Sequence, residues 1–431
     1  LPFSHVFNDS DSMSELTADS TVVIVGAGQA GGEAASELRK LGFAGRILIL
    51  GEEPQPPYKR PPLSKAYLAG TVQESGLYVM QPSQLEKVNI EFRGNARVTR
   101  IDRTSKTLHL ADGSTQAYDK LVLATGGRAR TLPVPGADAP NVYVLRTIGD
   151  VEKIKAHCQA GKRAVIVGGG FIGLEGAAVM VKLGLKVTLL EGLPRVLARV
   201  TVPQVSEFFE RAHREAGVDL RTGAQLAGFE GSPVTAVKLA DGTSIECDFV
   251  VVGIGLIANT EVAQEAGLVV DNGIVVDEFA RTSDPDIVAA GDCTNHPSEF
   301  LGGRVRLESV QNAMEQGRIA ARTLFGKNEP YRTVPWFWSD QYDLKLQMVG
   351  LSNAHDQLVV RGDPATQRNF AVFYLKDGKL IAADTVSRPQ DFMFAKKLVA
   401  EGARLDPAQL ADESVALKTL ATPAAPAAPA A

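Results

Sequence analysis

The sequence predicts an α/β protein built from two Rossmann-like dinucleotide-binding units followed by a C-terminal α+β domain. Three observations carry this. An apolar, β-branched run leads into a G-x-G-x-x-G loop and then an alanine-rich helical stretch, twice over: Thr21–Val25 before Gly26 to Gly31, and 164–167 before Gly168 to Gly173. Each copy continues into a second strand ending near an acid, Arg46–Leu50 before Glu52 and Lys186–Leu190 before Glu191. Past residue 330 the pattern changes to short alternating runs and one late helix, which reads as an antiparallel sheet with a helical cover.

The elements follow in chain order. The spacing predicts helices over 33–41 and 174–183, each fed directly by its glycine loop. In such a loop the first glycine makes the tight turn, the second lets backbone N–H groups approach a pyrophosphate, and the third lets helix pack on strand. The helix N-terminus then faces an anion. Glu52 and Glu191 lie about 20 residues beyond their loops, where a carboxylate accepts hydrogen bonds from an adenosine ribose. The echo extends further. Asp112-Gly113 and Asp241-Gly242 are hairpin turn signals between alternating runs, and each is followed by an apolar strand, before Ala124-Thr125-Gly126 in one copy and before Gly253 and Gly255 in the other. Gly253 and Gly255 let the backbone come close to the nicotinamide half of a cofactor. Two dinucleotide sites on one chain imply electron transfer between two dinucleotides, most simply a flavin and a nicotinamide.

Downstream, Asp292 follows the apolar run 287–290 at a strand end, the usual ligand side of an α/β sheet. Val310, Ala313, Met314, Gly317, Ala320, Ala321 and Leu324 then recur at helical spacing. The last region predicts strands over 344–349, 357–361, 370–375 and 380–385, a turn at Asp377-Gly378, and a helix over 389–402. The expected domains are 16–126 with 256–328 for the flavin, 127–255 for the nicotinamide, and 329–420 as the α+β cap. Residues 1–15 read as a leader, with Met13 a plausible start, and 421–431 as a disordered Ala/Pro tail.

Composition narrows the function. The 431 residues carry 45 Lys+Arg against 50 Asp+Glu, a net charge of −5, so no cationic field exists to hold a nucleic acid. Cys158, Cys247 and Cys293 are scattered and form no C-x-x-C, which argues against a disulfide framework, a metal site or a local redox dithiol and fits a reducing cytoplasm. No run reaches the 18 or so apolar residues of a membrane span.

Beyond the glycine loops stand Arg60-Pro-Pro-Leu-Ser-Lys65, Ala124-Thr125-Gly126, Leu145-Arg146-Thr147, Ala290-Gly-Asp292-Cys293, Glu308-Ser-Val310 and Trp336-Phe-Trp338-Ser-Asp-Gln341. With these in order, from about residue 20 to 420, the chain resembles the bacterial NADH-dependent FAD ferredoxin reductases of the two-dinucleotide-binding, glutathione-reductase-like flavoproteins. The resemblance implies FAD along Gly26, Gly28, Ala30, Gly31, Glu52, Ala124, Thr125 and Gly126, with Lys65 at the reactive edge of the flavin and Val98 and Arg146 beside it. It implies Asp292 on the ribityl chain, the helix N-terminus at Val310 facing the flavin pyrimidine, and Trp338 as a flavin neighbour. NADH is implied along Gly168, Gly170, Ile172, Gly173, Glu191, Gly253 and Gly255, and Glu175 as the acidic partner of Lys65 in a catalytic pair.

Glu191 sets the nicotinamide variety, because a 2′-phosphate charge about 4 Å from a carboxylate is repelled by roughly 4 kcal/mol at an effective dielectric near 20. NADH is therefore preferred. The implied activity is hydride transfer from NADH to FAD, then single electrons to a [2Fe-2S] ferredoxin that feeds a haem-thiolate monooxygenase. Alternatives are the reductase of a ring-hydroxylating dioxygenase and a flavin-containing NADH sensor resembling apoptosis-inducing factor. A disulfide reductase of the same fold is disfavoured, since the 60–64 segment lacks its cysteines. Arg318, Arg322, Lys396 and Lys397 are expected contacts for an acidic ferredoxin. Ala258, where relatives carry proline, and an extra Gly76 are the departures from the pattern.

Overall fold

A computed structural model describes residues 15–300 and 302–420. The expected leader, save its last residue, and the Ala/Pro tail lie outside the described residues. The described residues form two compact units: one from 15–60, 73–128 and 256–333, the other from 61–72, 129–255 and 334–420.

The first unit is organised on a parallel sheet with strand order Ile287–Ala289, Lys120–Leu123, Thr21–Val25, Arg46–Leu50, Ile90–Arg93. Successive side chains on a strand point to opposite faces, so the run Val22-Val-Ile-Val25 serves two cores. Val22 and Ile24 pack with Ile47, Ile49 and the helices Gln29–Lys40 and Val310–Leu324. Val23 and Val25 pack with Leu48, Leu121 and Leu123 against Leu108 of the hairpin sheet 98–117. The first helix begins at Gln29 rather than at 33, because Gly31 and Gly32 occupy its first turn. Glycine is a poor helix former, and here close packing rather than propensity decides: a Cβ on Gly31 would lie 2.1 Å from Gly26 O. The same holds where the two helices meet. A Cβ on Gly317 would lie 2.6 Å from Ala30 O, and Arg318 and Arg322 flank that contact with ion pairs to Glu33 (3.2 Å) and Glu37 (2.8 Å).

The second unit repeats the plan. Its parallel sheet has the order Asp219–Arg221, Lys186–Leu190, Arg163–Val167, Phe249–Val252, Val142–Val144, with the helix Phe171–Lys182 following the glycine loop and a three-stranded hairpin sheet over 226–246 as its insertion. The same unit carries an antiparallel sheet with the order Trp336–Gln341, Leu344–Gly350, Lys379–Val386, Phe370–Lys376, Gln357–Arg361, and the helix Pro389–Ala400 lies on it. Four of these strands match the sequence expectation. The first, Trp336–Gln341, was not expected as a strand: three of its six residues are aromatic and half-buried, so the usual polar–apolar alternation is masked. Among the described residues no helix is long and apolar enough to cross a membrane.

Candidate functional site

The two glycine loops are stereochemical copies. Gly26 and Gly168 both adopt φ +114°, and a Cβ there would lie 2.1 Å from Ala124 O and 2.3 Å from Gly253 O. Gly31 and Gly173 are closed by the carbonyls of Gly26 and Gly168, at 2.1 and 1.9 Å from a built Cβ. The middle glycines differ. A Cβ on Gly28 or Gly170 would meet nothing within 4 Å, and each is the N-cap of a twelve-residue helix with no side-chain cap. Two glycines in each loop are thus demanded by the fold, and one borders open space in front of uncapped N–H groups. That cradle fits a pyrophosphate.

In the first unit, Ala30 is buried near Gly291, and Ala124 N–H donates to Val25 O (2.8 Å). Thr125 Oγ donates to Asn259 O (2.6 Å), and Gly126 O accepts from Asn259 N–H (3.0 Å), which clamps the returning chain against the loop. Glu52 is largely exposed and 3.7 Å from Arg97 Nε. Ala96 N–H donates to Gly51 O (2.8 Å), so Val98, two residues on and buried in the core, lies at the Glu52 end of the cradle. The resemblance implies Val98 beside the flavin; its observed neighbourhood is that of Glu52, because the 98–117 hairpin begins where the strand ending at Leu50 stops. Asp292 is half-buried just after Gly291, whose N–H donates to Gln316 Oε1 (2.8 Å). Ser309 caps the helix beginning at Val310 by accepting from Asn312 N–H (3.1 Å), and Val310 is half-buried.

In the second unit, the acid after the glycine loop is held differently. Glu191 accepts from Gly169 N–H (2.7 Å) and Leu193 N–H (2.8 Å), so its carboxylate is fixed against the loop. Ile172 is exposed on the first turn of its helix. Gly253 N–H donates to Val167 O (2.8 Å), while Gly255, at φ +112°, has open space where a Cβ would stand. Arg146 N–H donates to Asp150 (3.1 Å) at the start of the next helix.

Lys65 and Glu175 do meet. Lys65 follows the 3-10 turn Pro61–Ser64, whose two prolines fix the loop, and its Nζ lies 2.6 Å from Glu175 Oε2 and 3.3 Å from Pro61 O. Glu175 is 2% exposed, on the helix Phe171–Lys182. A carboxylate so deep must be paired and hydrogen-bonded. It accepts from Ser64 Oγ (2.5 Å) and Ser339 Oγ (2.6 Å) in addition to the lysine. Sequence reasoning missed both serines, although they lie inside the quoted Arg60–Lys65 and Trp336–Gln341 motifs. Trp338 sits mid-strand, half-buried, with Trp336 at 5.5 Å and Phe337 at 6.4 Å. Phe337 in turn stacks on Phe171, the first helical residue after Gly170, at 4.5 Å.

The expected ferredoxin contacts differ in their surroundings. Arg318 and Arg322 are half-buried and ion-paired, Arg318 with Glu33 and Arg322 with Glu37 and Glu329. Their helix is amphipathic as expected, but its polar edge meets the acids of a neighbouring helix. Lys396 lies over the Trp336 ring at 5.2 Å, and Lys397 faces Glu401 at 3.7 Å. Burial pushes the Cys158 and Cys247 thiols up to about 11 and raises Cys293 as well, so none is poised as a thiolate.

Comparison with known proteins agrees with this architecture. Residues 20–317 match the family model for pyridine nucleotide-disulphide oxidoreductases, and 336–421 match the Reductase C-terminal model. The chain is 48% identical over 412 residues to putidaredoxin reductase of Pseudomonas putida, covering 94% of this chain and 97% of that one. It is 42% identical to the ferredoxin–NAD(+) reductase component of the anthranilate 1,2-dioxygenase system of Burkholderia cepacia, covering 92% and 98%. The solved covalent putidaredoxin reductase–putidaredoxin complex superposes with a TM-score of 0.91 at 48% identity, covering 94% and 98%. The chain therefore belongs to the pyridine nucleotide-disulphide oxidoreductase family, as an FAD flavoprotein oxidoreductase that works with a pyridine nucleotide.

Proposed function

We propose that this protein is an NADH-dependent ferredoxin reductase, taking a hydride from NADH and passing single electrons to a [2Fe-2S] ferredoxin. The observation that carries the reading is the pair of glycine loops with identical stereochemistry, each leaving one uncapped helix N-terminus open to a pyrophosphate. Bound FAD supplies the exchange between two-electron and one-electron chemistry. The chain's own residues bind and orient.

Gly26, Gly28, Ala30, Gly31 and the 124–126 turn hold the flavin dinucleotide, with Glu52 at its adenosine end and Val98 near Glu52, Asp292 on its ribityl chain, and Val310, Arg146 and Trp338 toward its ring. Gly168, Gly170, Ile172, Gly173, Gly253 and Gly255 hold NADH. Glu191, fixed against the loop by two backbone donors, takes the ribose diol and repels a 2′-phosphate. Lys65 places its ammonium where negative charge grows on reduction, and Glu175 fixes Lys65 in place. The domain limits assigned to these roles are 16–126 with 256–328, 127–255 and 329–420.

The acceptor is proposed as the ferredoxin of a haem-thiolate monooxygenase in the cytoplasm, on the strength of the likeness to putidaredoxin reductase. A ring-hydroxylating dioxygenase system is the second reading, favoured by the anthranilate dioxygenase relative. Stopped-flow reduction by NADH, followed by turnover with a panel of ferredoxins, tests both. Fast reduction with turnover by one ferredoxin class is expected, and slow reduction with a persistent charge-transfer band is the result a sensor would give.

A further inference from the structure

Behind the Lys65–Glu175 pair runs a row of polar side chains that neither glycine loop uses. Ser339 Oγ donates to Glu175 Oε1 (2.6 Å), and Gln341 Nε2 donates to Ser339 Oγ (3.1 Å). Gln341 Oε1 lies 2.9 Å from His213 Nε2, and His213 Nδ1 lies 2.9 Å from the Tyr342 hydroxyl. Ser339, Gln341 and His213 are at most 1% exposed, whereas Tyr342 is 38% exposed at the hairpin turn after the strand Trp336–Gln341. The row has simple origins. Ser339 and Gln341 are two apart on one strand and share a face, and His213 is on the buried side of the helix Pro203–Glu215.

The chemistry of the groups gives the row a direction. An ionised carboxylate only accepts, so Ser339, with its one hydroxyl proton, donates to Glu175 and must accept from the Gln341 amide nitrogen. That turns the amide oxygen toward His213. An amide oxygen also only accepts, so His213 carries its proton on Nε2, and its bare Nδ1 takes the Tyr342 O–H. Burial keeps the imidazole neutral, pushing its pKa down to about 4 against the opposing effect of the Gln341 hydrogen bond. Every donor in the row points toward Glu175.

We infer that Gln341 and His213 are positioning residues for the Lys65–Glu175 pair: a one-way hydrogen-bond row from the Tyr342 hydroxyl fixes the Glu175 carboxylate and thereby aims Lys65. The inference rests on the reading of Lys65 as the group beside the flavin. Such a row costs nothing to reorganise during the reaction, since its donors are aligned beforehand and sealed from water.

The test uses the FAD-loaded protein labelled with 15N at histidine, with His213→Gln assigning the His213 resonance among the six histidines. The expected spectrum at pH 7 is the neutral Nε2–H tautomer, with that preference relaxed in Gln341→Leu. Flavin reduction by NADH in Gln341→Leu and His213→Phe is expected to slow roughly tenfold or more at unchanged NADH Kd. His213→Gln retains an N–H at the same reach and restores the rate lost in His213→Phe. An Nδ1–H tautomer or an imidazolium at pH 7 overturns the inference, as does a wild-type rate in Gln341→Leu. If Gln341→Leu does not fold, the tautomer in the unaltered protein decides. Lys65→Met separates the two levels: a wild-type reduction rate there sinks the underlying reading, whereas a slowed Lys65→Met beside an unaffected Gln341→Leu sinks only the row.

Discussion

Gly28 and Gly31 sit three residues apart in one loop and answer to different demands. A Cβ on Gly31 or Gly173 is driven into a backbone carbonyl that cannot yield, so Gly31→Ala and Gly173→Ala are expected to destabilise by about 3 kcal/mol, read as a lower urea midpoint. Gly28→Ala and Gly170→Ala project into open space. They are expected to keep the wild-type midpoint while weakening FAD and NADH binding respectively, measured by fluorescence titration. Equal losses of stability in all four variants would mean the middle glycines serve packing alone. At Glu191, replacement by Ala removes the carboxylate that the Gly169 and Leu193 N–H groups hold in place. The NADH-over-NADPH ratio of kcat/KM is expected to fall at least tenfold, and an unchanged ratio would take the discrimination away from this residue. At this scale the sequence was most legible where one residue type has one use. The glycines of both loops, and an acid held against the second, followed from spacing. Ser64, Ser339, Gln341 and His213 did not, because a polar residue's hydrogen-bond partner 100 or more positions away leaves no local trace.

Elements were legible to the degree that their own periodicity decided them. The strands Thr21–Val25, Arg46–Leu50 and Lys186–Leu190 coincide with the sequence limits, being short β-branched or leucine-rich runs buried on both faces. The helix starts moved upstream because packing overrode glycine's low propensity, and the strand Trp336–Gln341 escaped because its aromatic residues face both ways. The helix Val310–Leu324 shows the limit of a helical pattern: Ala313, Gly317, Ala320, Ala321 and Leu324 of its stripe are buried and Val310 and Met314 half-buried, but what faced its charged edge was invisible. Arg318 and Arg322 bind acids of the helix Gln29–Lys40, so their charge is balanced at home. Arg322→Gln is therefore expected to leave the salt dependence of ferredoxin turnover unchanged. Lys396→Gln, which removes a charge that pairs with no carboxylate among the described residues and lies over Trp336, is expected to flatten it. The reverse pattern across an ionic-strength series would return the arginines to the docking surface.

The whole molecule is predicted to carry a pH-dependent strain at one buried carboxylate. Asp384 lies on the strand Lys379–Val386 and accepts from Thr201 Oγ and the Tyr374 hydroxyl, each at 2.5 Å. Burial raises its pKa to about 6, partly opposed by the hydrogen bonds from Thr201 and Tyr374. The folded state thus prefers the neutral acid and the unfolded chain the carboxylate. The associated stability is fully present below the unfolded value near 4, is lost as pH rises to about 6, and stays lost above it, a swing on the order of 3 kcal/mol. Asp384→Asn should not show that swing, so its urea midpoint relative to wild type is expected to rise between pH 4 and pH 6 and then level. A constant difference across that range would contradict the assignment.

The central claim, that two dinucleotides on this one chain pass a hydride and release it as single electrons, is tested most directly by anaerobic titration of the FAD-loaded protein with NADH, followed by an oxidised [2Fe-2S] ferredoxin. One equivalent of NADH is expected to bleach the flavin, and two of ferredoxin to restore its colour while becoming reduced themselves. A preparation that takes up no FAD, or one that bleaches yet reduces no iron–sulfur protein, would contradict the account.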